Sequence, residues 1–304
     1  MKKSLTIIVP VFNEEKTIPL FFARLKIVIQ KLNDRYDIKI LFINNSSIDN
    51  TYNTVLELRS LYQNVNLITL SKNVGYQKSL ECGLDNVESD LLVFIDVDGE
   101  DPPEMILDFV KYFEIGYDIV YGERVDRHES FLLKKLRNVF YQIARRLADE
   151  EILLYMAEFS LITKEVRDAI VGGNNTFPFI RNLIARVGFS RLGIPYKRQI
   201  RIEGKTNYNL WGMFLFAASG ILSSSTFFLR APIYLFPFWF MTLIALVLDY
   251  IFSQNINVLL FIFVLSIGYI GLTISFIAIY VARIYKNGLG FSNYTIYKKY
   301  TFLD

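Results

Sequence analysis

Asp96, Asp98, Glu100 and Asp101 fall within six consecutive positions, directly after the apolar run Leu91-Leu92-Val93-Phe94-Ile95. Carboxylates that close repel one another unless a cation sits among them. A hard divalent ion with oxygen ligands is the natural partner, and Mg²⁺ completes its shell with substrate phosphates rather than with a full protein cage. A solvated acidic turn would have the same composition, but the position argues against it. The run before the acids reads as a strand buried on both faces. The C-terminal end of such a strand is where open α/β sheets bind ligands, and Pro102-Pro103 then stops the strand and opens a helix.

The elements that must hold this group alternate along the first half of the chain. Leu5 to Val11 is a first buried strand, closed by Phe12-Asn13-Glu14-Glu15 and followed by a helix over about 17–32. Ile38 to Asn44 is a second strand. The polar turn Asn44-Asn45-Ser46-Ser47-Ile48-Asp49-Asn50-Thr51 leads into a second helix, with Asp49 as its expected N-cap. A third strand, Val65 to Leu70, passes through Ser71-Lys72-Asn73-Val74-Gly75 into the helix of Leu80 and Leu84. After the acid-tipped strand come a helix from Pro103 to Phe113 and a fifth strand at Asp118 to Tyr121. Such alternation predicts an α/β fold with a mostly parallel sheet and helices on both faces.

Several classes are excluded. No Gly-x-Gly-x-x-Gly follows the first strand and no Walker lysine loop occurs, which argues against a dinucleotide-binding Rossmann enzyme and a P-loop NTPase. The net charge is +3, the part before residue 231 is nearly neutral, and no nucleic-acid footprint is visible. The single cysteine, Cys82, reads as a buried thiol in a reducing compartment. The apolar run at the N-terminus is too short for a signal peptide, so the bulk of the protein is expected in the cytosol. His128 reads as a solvated loop residue.

The C-terminal quarter is different. No charged residue lies between Arg230 and Asp249 or between Asp249 and Arg283, so 231–286 is read as two membrane-crossing helices. The uncharged stretch from Trp211 to Leu229 suggests an amphipathic segment at the lipid surface, with a buried core helix as the alternative. Arg230 precedes the pair and Arg283, Lys286, Lys298 and Lys299 follow it, while the short connecting loop has no basic residue. The positive-inside rule therefore puts both termini in the cytosol. The expected division is a catalytic domain over 1–205, a juxtamembrane segment over 206–230, the helix pair over 231–286 and a cytosolic tail over 287–304.

Taken together, Ile8 to Glu15, the Asn44-to-Thr51 turn, Ser71 to Gly75 and Asp96-Val97-Asp98-Gly99-Glu100-Asp101-Pro102-Pro103-Glu104 resemble family 2 glycosyltransferases of the GT-A fold. The likeness continues through Tyr121-Gly122-Glu123-Arg124, the Phe140-Tyr141 pair, Val187-Gly188-Phe189 and Arg201-Ile202-Glu203-Gly204 to the paired C-terminal helices. Within that family the chain is similar to the polyprenyl-phosphate glycosyltransferases, a group that includes dolichol-phosphate mannose synthase and the bactoprenol glucosyltransferases. The resemblance implies an inverting transfer of a single sugar, glucose or a related hexose, from a nucleotide-sugar donor, UDP-linked in many relatives, to a polyprenyl (undecaprenyl) phosphate acceptor. It also implies Mg²⁺ or Mn²⁺, the bacterial cytoplasmic membrane and a possible homo-oligomer.

Carried onto this chain, the resemblance places Pro10, Asn13, Glu15, Asn44, Gly75, Asp96, Val97 and Asp98 at the donor, and Asp96, Asp98 and Glu100 at the metal. Asp98, Glu158 and Arg124 would be catalytic, and Arg124, Lys134, Arg137 and Arg201 would hold the acceptor phosphate. A polyprenyl monophosphate is already largely ionised at neutral pH, its second pKa being about 6, so cations rather than a strong base are what the site must supply. The chain departs from its relatives at Asn44-Asn45 (usually Asp-Asp), at Ala157-Glu158-Phe159-Ser160 (usually Gly-Asp-Phe-Arg) and at Asn207 (often Lys). A processive polysaccharide synthase of the same superfamily and a non-catalytic membrane scaffold are the competing readings.

Overall fold

The computed structural model describes residues 2–126, 142, 146, 149, 153, 155–171, 179–201 and 225–303. Strands β1 (Lys3–Val11), β2 (Tyr36–Asn44), β3 (Val65–Thr69) and β4 (Leu91–Phe94) form at the apolar, β-branched runs. They pair in parallel, in the order β3-β2-β1-β4. The mostly parallel expectation holds, with one feature periodicity did not show. Strand β6 (Met156–Thr163) inserts antiparallel beside β4, and β5 (Ile119–Asp126) and β7 (Arg191–Lys197) extend the sheet beyond it to seven strands. β5 is longer than expected because Gly122 to Asp126 continue its pairing with β7.

Side chains of β1 alternate between two cores. Leu5, Ile7, Val9 and Val11 face one side of the sheet and Ile8 the other. On the first side lie α1 (Thr17–Leu32) and α4 (Ile106–Glu114), the latter entered through a 3₁₀ turn at Pro103–Met105. Helix α1 forms because Ile18, Phe21, Phe22, Leu25, Val28 and Leu32 recur at helical spacing, and all six are buried. Each contributes about 1.5–3 kcal/mol of burial, and Phe21→Ala alone would cost about 3–5 kcal/mol. Helix α2 (Thr51–Leu61) anchors Val55 in the same layer. The N-cap is Asn50 rather than the expected Asp49, which instead accepts from Thr51 N in the turn just before the helix.

On the opposite side lie α3 (Tyr76–Asp85), α5 (Lys164–Ile170) and α6 (Ile180–Arg186). Helix α3 packs so closely on β1 that a Cβ on Gly83 would come within 2.5 Å of Ile8 Cγ2. Thr163 caps α5 by accepting from Val166 N. Cys82 is a buried free thiol, as expected.

Two C-terminal helices, α7 (Phe227–Ser253) and α8 (Ile256–Gly288), are long and apolar enough to cross a membrane. Their large apolar side chains are mostly exposed, the condition expected of surface facing lipid, and the pair fits membrane association. They run from four residues before the expected boundary to two residues beyond it. Trp239 stacks on Tyr269 at 4.7 Å, and the Tyr269 hydroxyl donates to the carbonyl of Pro232 at 2.8 Å, so the two helices are tied by aromatic and polar contacts.

The segment after α8 does not hang free. Phe302 exchanges both backbone hydrogen bonds with Leu67, Tyr297 N donates to Thr69 O at 2.7 Å, and Ser71 N donates to Thr295 O at 2.9 Å. This antiparallel return covers the edge of β3, which would otherwise present unpaired amides. Lys134, Arg137, His128, the Phe140-Tyr141 pair, Ile202 to Asn207 and residues 211–224 lie outside the described residues.

Candidate functional site

The sheet's order reverses between β1 and β4, and the loops that leave their C-terminal ends open a crevice there. Beside it the loops after β1, β2 and β3 interlock. Asn13, at φ 58, accepts from Ile48 N through its side chain at 2.9 Å, and its own amide donates to Ser47 Oγ at 3.0 Å. Asn45 Nδ2 donates to Asn73 Oδ1 at 3.0 Å while Asn45 Oδ1 accepts from Val74 N at 2.9 Å. Asn73 Oδ1 also takes Gly75 N, which fixes a turn that glycine's φ of 88 permits. The result is a preformed loop surface beside β1 and β2.

The expected donor residues sit in different surroundings. Pro10 is buried within β1, opposite Ile43. Asn44 is buried at the end of β2, where its side chain accepts from Ser47 N at 3.0 Å and shapes the turn. Glu15 accepts from Asn50 N, so it braces a neighbouring loop. Its neighbour Glu14 carries the electrostatic signal. The Glu14 carboxyl is raised by burial, moderated by Thr17, and it feels both Asp98 and Arg201. Val97 is buried in the core, so only its backbone is available.

The acidic segment turns back on itself at Gly99, φ 76. Asp98 Oδ1 accepts from Glu100 N at 3.0 Å and Asp98 Oδ2 pairs with Arg201 Nη2 at 2.9 Å. Arg201 Nε reaches Glu100 at 3.3 Å, and Arg198 Nη1 approaches Glu100 Oε2 at 2.5 Å as an ion pair outside hydrogen-bond alignment. Gln199 N donates to Glu100 O, which lays the chain after β7 along the acids. Asp101, 1% exposed, pairs with Arg124 Nη2 at 3.3 Å and accepts a very short hydrogen bond from the Tyr196 hydroxyl. Burial opposes the charge on Arg124, but Asp101 and then Tyr196 outweigh it and raise its pKa. Arg124 is thereby committed to Asp101 rather than standing open.

Asp96 differs from its neighbours. It makes no ion pair among the described residues, and its Oδ1 accepts from the Tyr76 hydroxyl at 2.6 Å. Burial, then Asp101 and Asp98, push its carboxyl up; burial likewise raises Asp98. Although part of the Tyr76 ring is exposed, its hydroxyl sits among acids. Burial followed by Asp96 and Glu158 keeps that phenol protonated. Glu158, on β6, accepts through Oε1 from Gln77 Nε2 at 2.9 Å and from Arg181 Nε at 2.8 Å.

Among the described residues no three acids converge as a ready-made metal cage. The donor set is nevertheless suited to a divalent ion carried by phosphates. Among the described residues Asp96 makes no ion pair, although it feels the Arg124 charge, and Asp98 is held by an arginine that an incoming phosphate could take over. Arg198, Tyr76, Gln77, Arg181 and Glu14 were missed from sequence. Their one signal is distance from the acids through the fold, which spacing along the chain does not reveal.

The family model described as Glycosyl transferase family 2 matches residues 6–171. The chain is 33% identical over 221 residues to the uncharacterized glycosyltransferase YkcC of Bacillus subtilis (strain 168), covering 72% of this chain and 68% of that one. It is 32% identical over 232 residues to the bactoprenol glucosyl transferase of Shigella phage SfV, covering 76% of this chain and 75% of the other. Among solved structures, mannosyl-3-phosphoglycerate synthase from Rubrobacter xylanophilus aligns over 72% of each chain with 16% identity and a TM-score of 0.49.

Proposed function

The chain belongs to glycosyl transferase family 2 and is a glycosyltransferase; from that premise we propose that it transfers a single hexose from a nucleoside-diphosphate sugar to a polyprenyl phosphate at a membrane surface. The observation that carries this reading is the group Asp96, Asp98, Glu100 and Asp101 just past the end of β4, faced by Arg198 and Arg201 from the segment that follows β7. Acids to hold a metal and arginines to hold phosphate are what a reaction between a diphosphate donor and a phosphate acceptor requires. Its relatives include a bactoprenol glucosyl transferase, which supports a polyprenyl acceptor and glucose or a related hexose.

In this reading the loop surface of Pro10, Asn13, Glu15, Asn44 and Gly75 receives the nucleoside. Asp96 and Asp98 hold a Mg²⁺ or Mn²⁺ ion, and Glu100, now paired with two arginines, joins them only if those arginines move. When bound, the ion neutralises charge that develops on the departing diphosphate. Asp98 gives up Arg201, whose guanidinium then clamps the acceptor phosphate. That phosphate attacks the anomeric carbon from the face opposite the leaving group, so configuration inverts. Arg124 keeps Asp101 neutralised and so leaves Asp96 and Asp98 to the ion. Lys134 and Arg137 are retained as acceptor candidates from the sequence alone.

The membrane side of the proposal rests on connectivity. Helices α7 and α8 form a hairpin, and residues 295–302 after it pair along β3. The segment that follows the hairpin is thus part of the sheet that bears the acids, so a hairpin crossing a membrane leaves the acids and the chain's C-terminal segment on one face. With the basic residues that flank it, that face is the cytosolic one. Full-length protein incubated with Mn²⁺, undecaprenyl phosphate and a panel of radiolabelled UDP- and GDP-sugars tests the proposal. Label in a lipid carrying one sugar is expected. Long polymer would favour a processive synthase, and no transfer from any donor would leave only a scaffold.

A further inference from the structure

We propose that Gln77 and Arg181 are positioning residues that hold Glu158 with one carboxylate oxygen free, and that this oxygen accepts a hydroxyl of the transferred sugar. The inference rests on the glycosyltransferase reading above and deepens it. Strands β4 and β6 pair with Phe94 opposite Ser160. Two residues further along each strand, on the same face, stand Asp96 and Glu158. The Tyr76 hydroxyl bonds Asp96 and feels the Glu158 charge as well, so both acids border one space.

Glu158 is 8% exposed, and its two oxygens are treated differently. Oε1 accepts from both Gln77 and Arg181, whereas Oε2 is buried with no hydrogen-bond partner among the described residues. A carboxylate oxygen can only accept, and burying one without a donor is unfavourable. A phosphate offers it no donor and repels it. Hydrogen-bond donors in the substrates are the hydroxyls of the sugar and the ribose and the N–H groups of the base. With the nucleoside on the loop surface beside β1 and β2, the sugar hydroxyls are the ones left for Glu158.

The two holders come from separate helices and are themselves anchored. Gln77, in the first turn of α3, donates to Glu158 with its amide nitrogen and accepts from Ile180 N at 3.1 Å with its amide oxygen. A neutral amide performs both roles at once, through two different atoms. Arg181, at the start of α6, also donates from Nη1 to Met156 O at 3.0 Å, so its fork spans β6 and fixes the direction of Nε. Position 160 lies on the same face as Glu158 but holds a serine whose hydroxyl donates to the Glu158 carbonyl. The cation for the carboxylate therefore has to arrive from another element, and Arg181 is that cation.

The test compares full-length wild type with Arg181→Ala, Arg181→Lys, Gln77→Met and Glu158→Gln in detergent with Mn²⁺. Calorimetry with UDP, UDP-glucose, GDP and GDP-mannose is paired with kcat and KM for transfer to undecaprenyl phosphate. Expected for Arg181→Ala and Gln77→Met is a fall of about 10- to 100-fold in kcat, the equivalent of losing one hydrogen bond to a charged group. Affinity for the sugar nucleotide falls as well, and affinity for the bare nucleotide is unchanged. Arg181→Lys recovers part of the loss, and Glu158→Gln reproduces it. Equal weakening of nucleotide and sugar nucleotide, or an unaltered kcat, would overturn the assignment. If Arg181→Ala does not fold, an unaltered kcat in Arg181→Lys and Glu158→Gln overturns it equally. A wild type that binds no nucleotide sugar and transfers nothing would remove the glycosyltransferase reading itself, a different failure from variants that match an active wild type.

Discussion

Helix α3 carries carboxylate chemistry at both of its ends, and the two ends handle it in opposite ways. At its C-terminal half, Glu81 takes two hydrogen bonds from the Asn293 amide, and Asp85 takes one from the Tyr294 hydroxyl. These acids fasten the segment that returns from α8, and each has its partner. At its N-terminal end, Tyr76 and Gln77 reach Asp96 and Glu158, where acids crowd and one buried oxygen stays unpartnered. Satisfied carboxylates mark scaffold, and unsatisfied ones mark a place where something else must bind.

The contrast predicts effects that separate activity from stability. The largest is expected at the active end. Asp98→Asn should lower transfer by about 10²- to 10³-fold while leaving the thermal midpoint unchanged or higher, because one repelling charge is removed. A parallel drop in the midpoint would mean that Asp98 belongs to the scaffold. At the other end Phe302→Ala should cost about 2 kcal/mol of stability by opening the β3 edge. KM for either substrate should stay as it was, and denaturant unfolding beside steady-state kinetics reads both.

A smaller effect is expected for Arg201→Ala. Losing one guanidinium should raise KM for undecaprenyl phosphate about tenfold with little change in kcat; a change confined to nucleotide affinity would assign Arg201 to the donor instead. The smallest concerns pH. Burial raises the Glu81 carboxyl to about 7 from an ordinary 4.5. The folded protein then binds more protons than the unfolded chain across that interval, so Glu81 makes stability fall as pH rises from about 4.5 to about 7. Glu81→Gln should flatten that part of the profile, and equal slopes for the two proteins would show that the contact does not titrate.

Much of the active end was legible because it is local. Asp96, Asp98, Glu100 and Asp101 sit together in the chain, at the end of an apolar run whose burial on both faces followed from its composition. The scaffold end was not legible. Residues 287–304 read as a cytosolic tail because their β-forming stretch, Tyr294 to Tyr297, is short and its partner β3 lies more than 200 residues earlier. The antiparallel entry of β6 was hidden because strand direction is set by its partners β4 and β5, not by the residues of β6 itself.

Sequence alone determined the α/β alternation, the acidic cluster and the two long apolar helices, since each depends on the order of side chains within one or two turns or strands. Tertiary structure decided which cation answers which acid. Arg124 turned to Asp101, Arg201 and Arg198 to Asp98 and Glu100, and Arg181 to Glu158. Coulomb attraction and desolvation act through space, and only folding sets distances between charges that the chain keeps far apart.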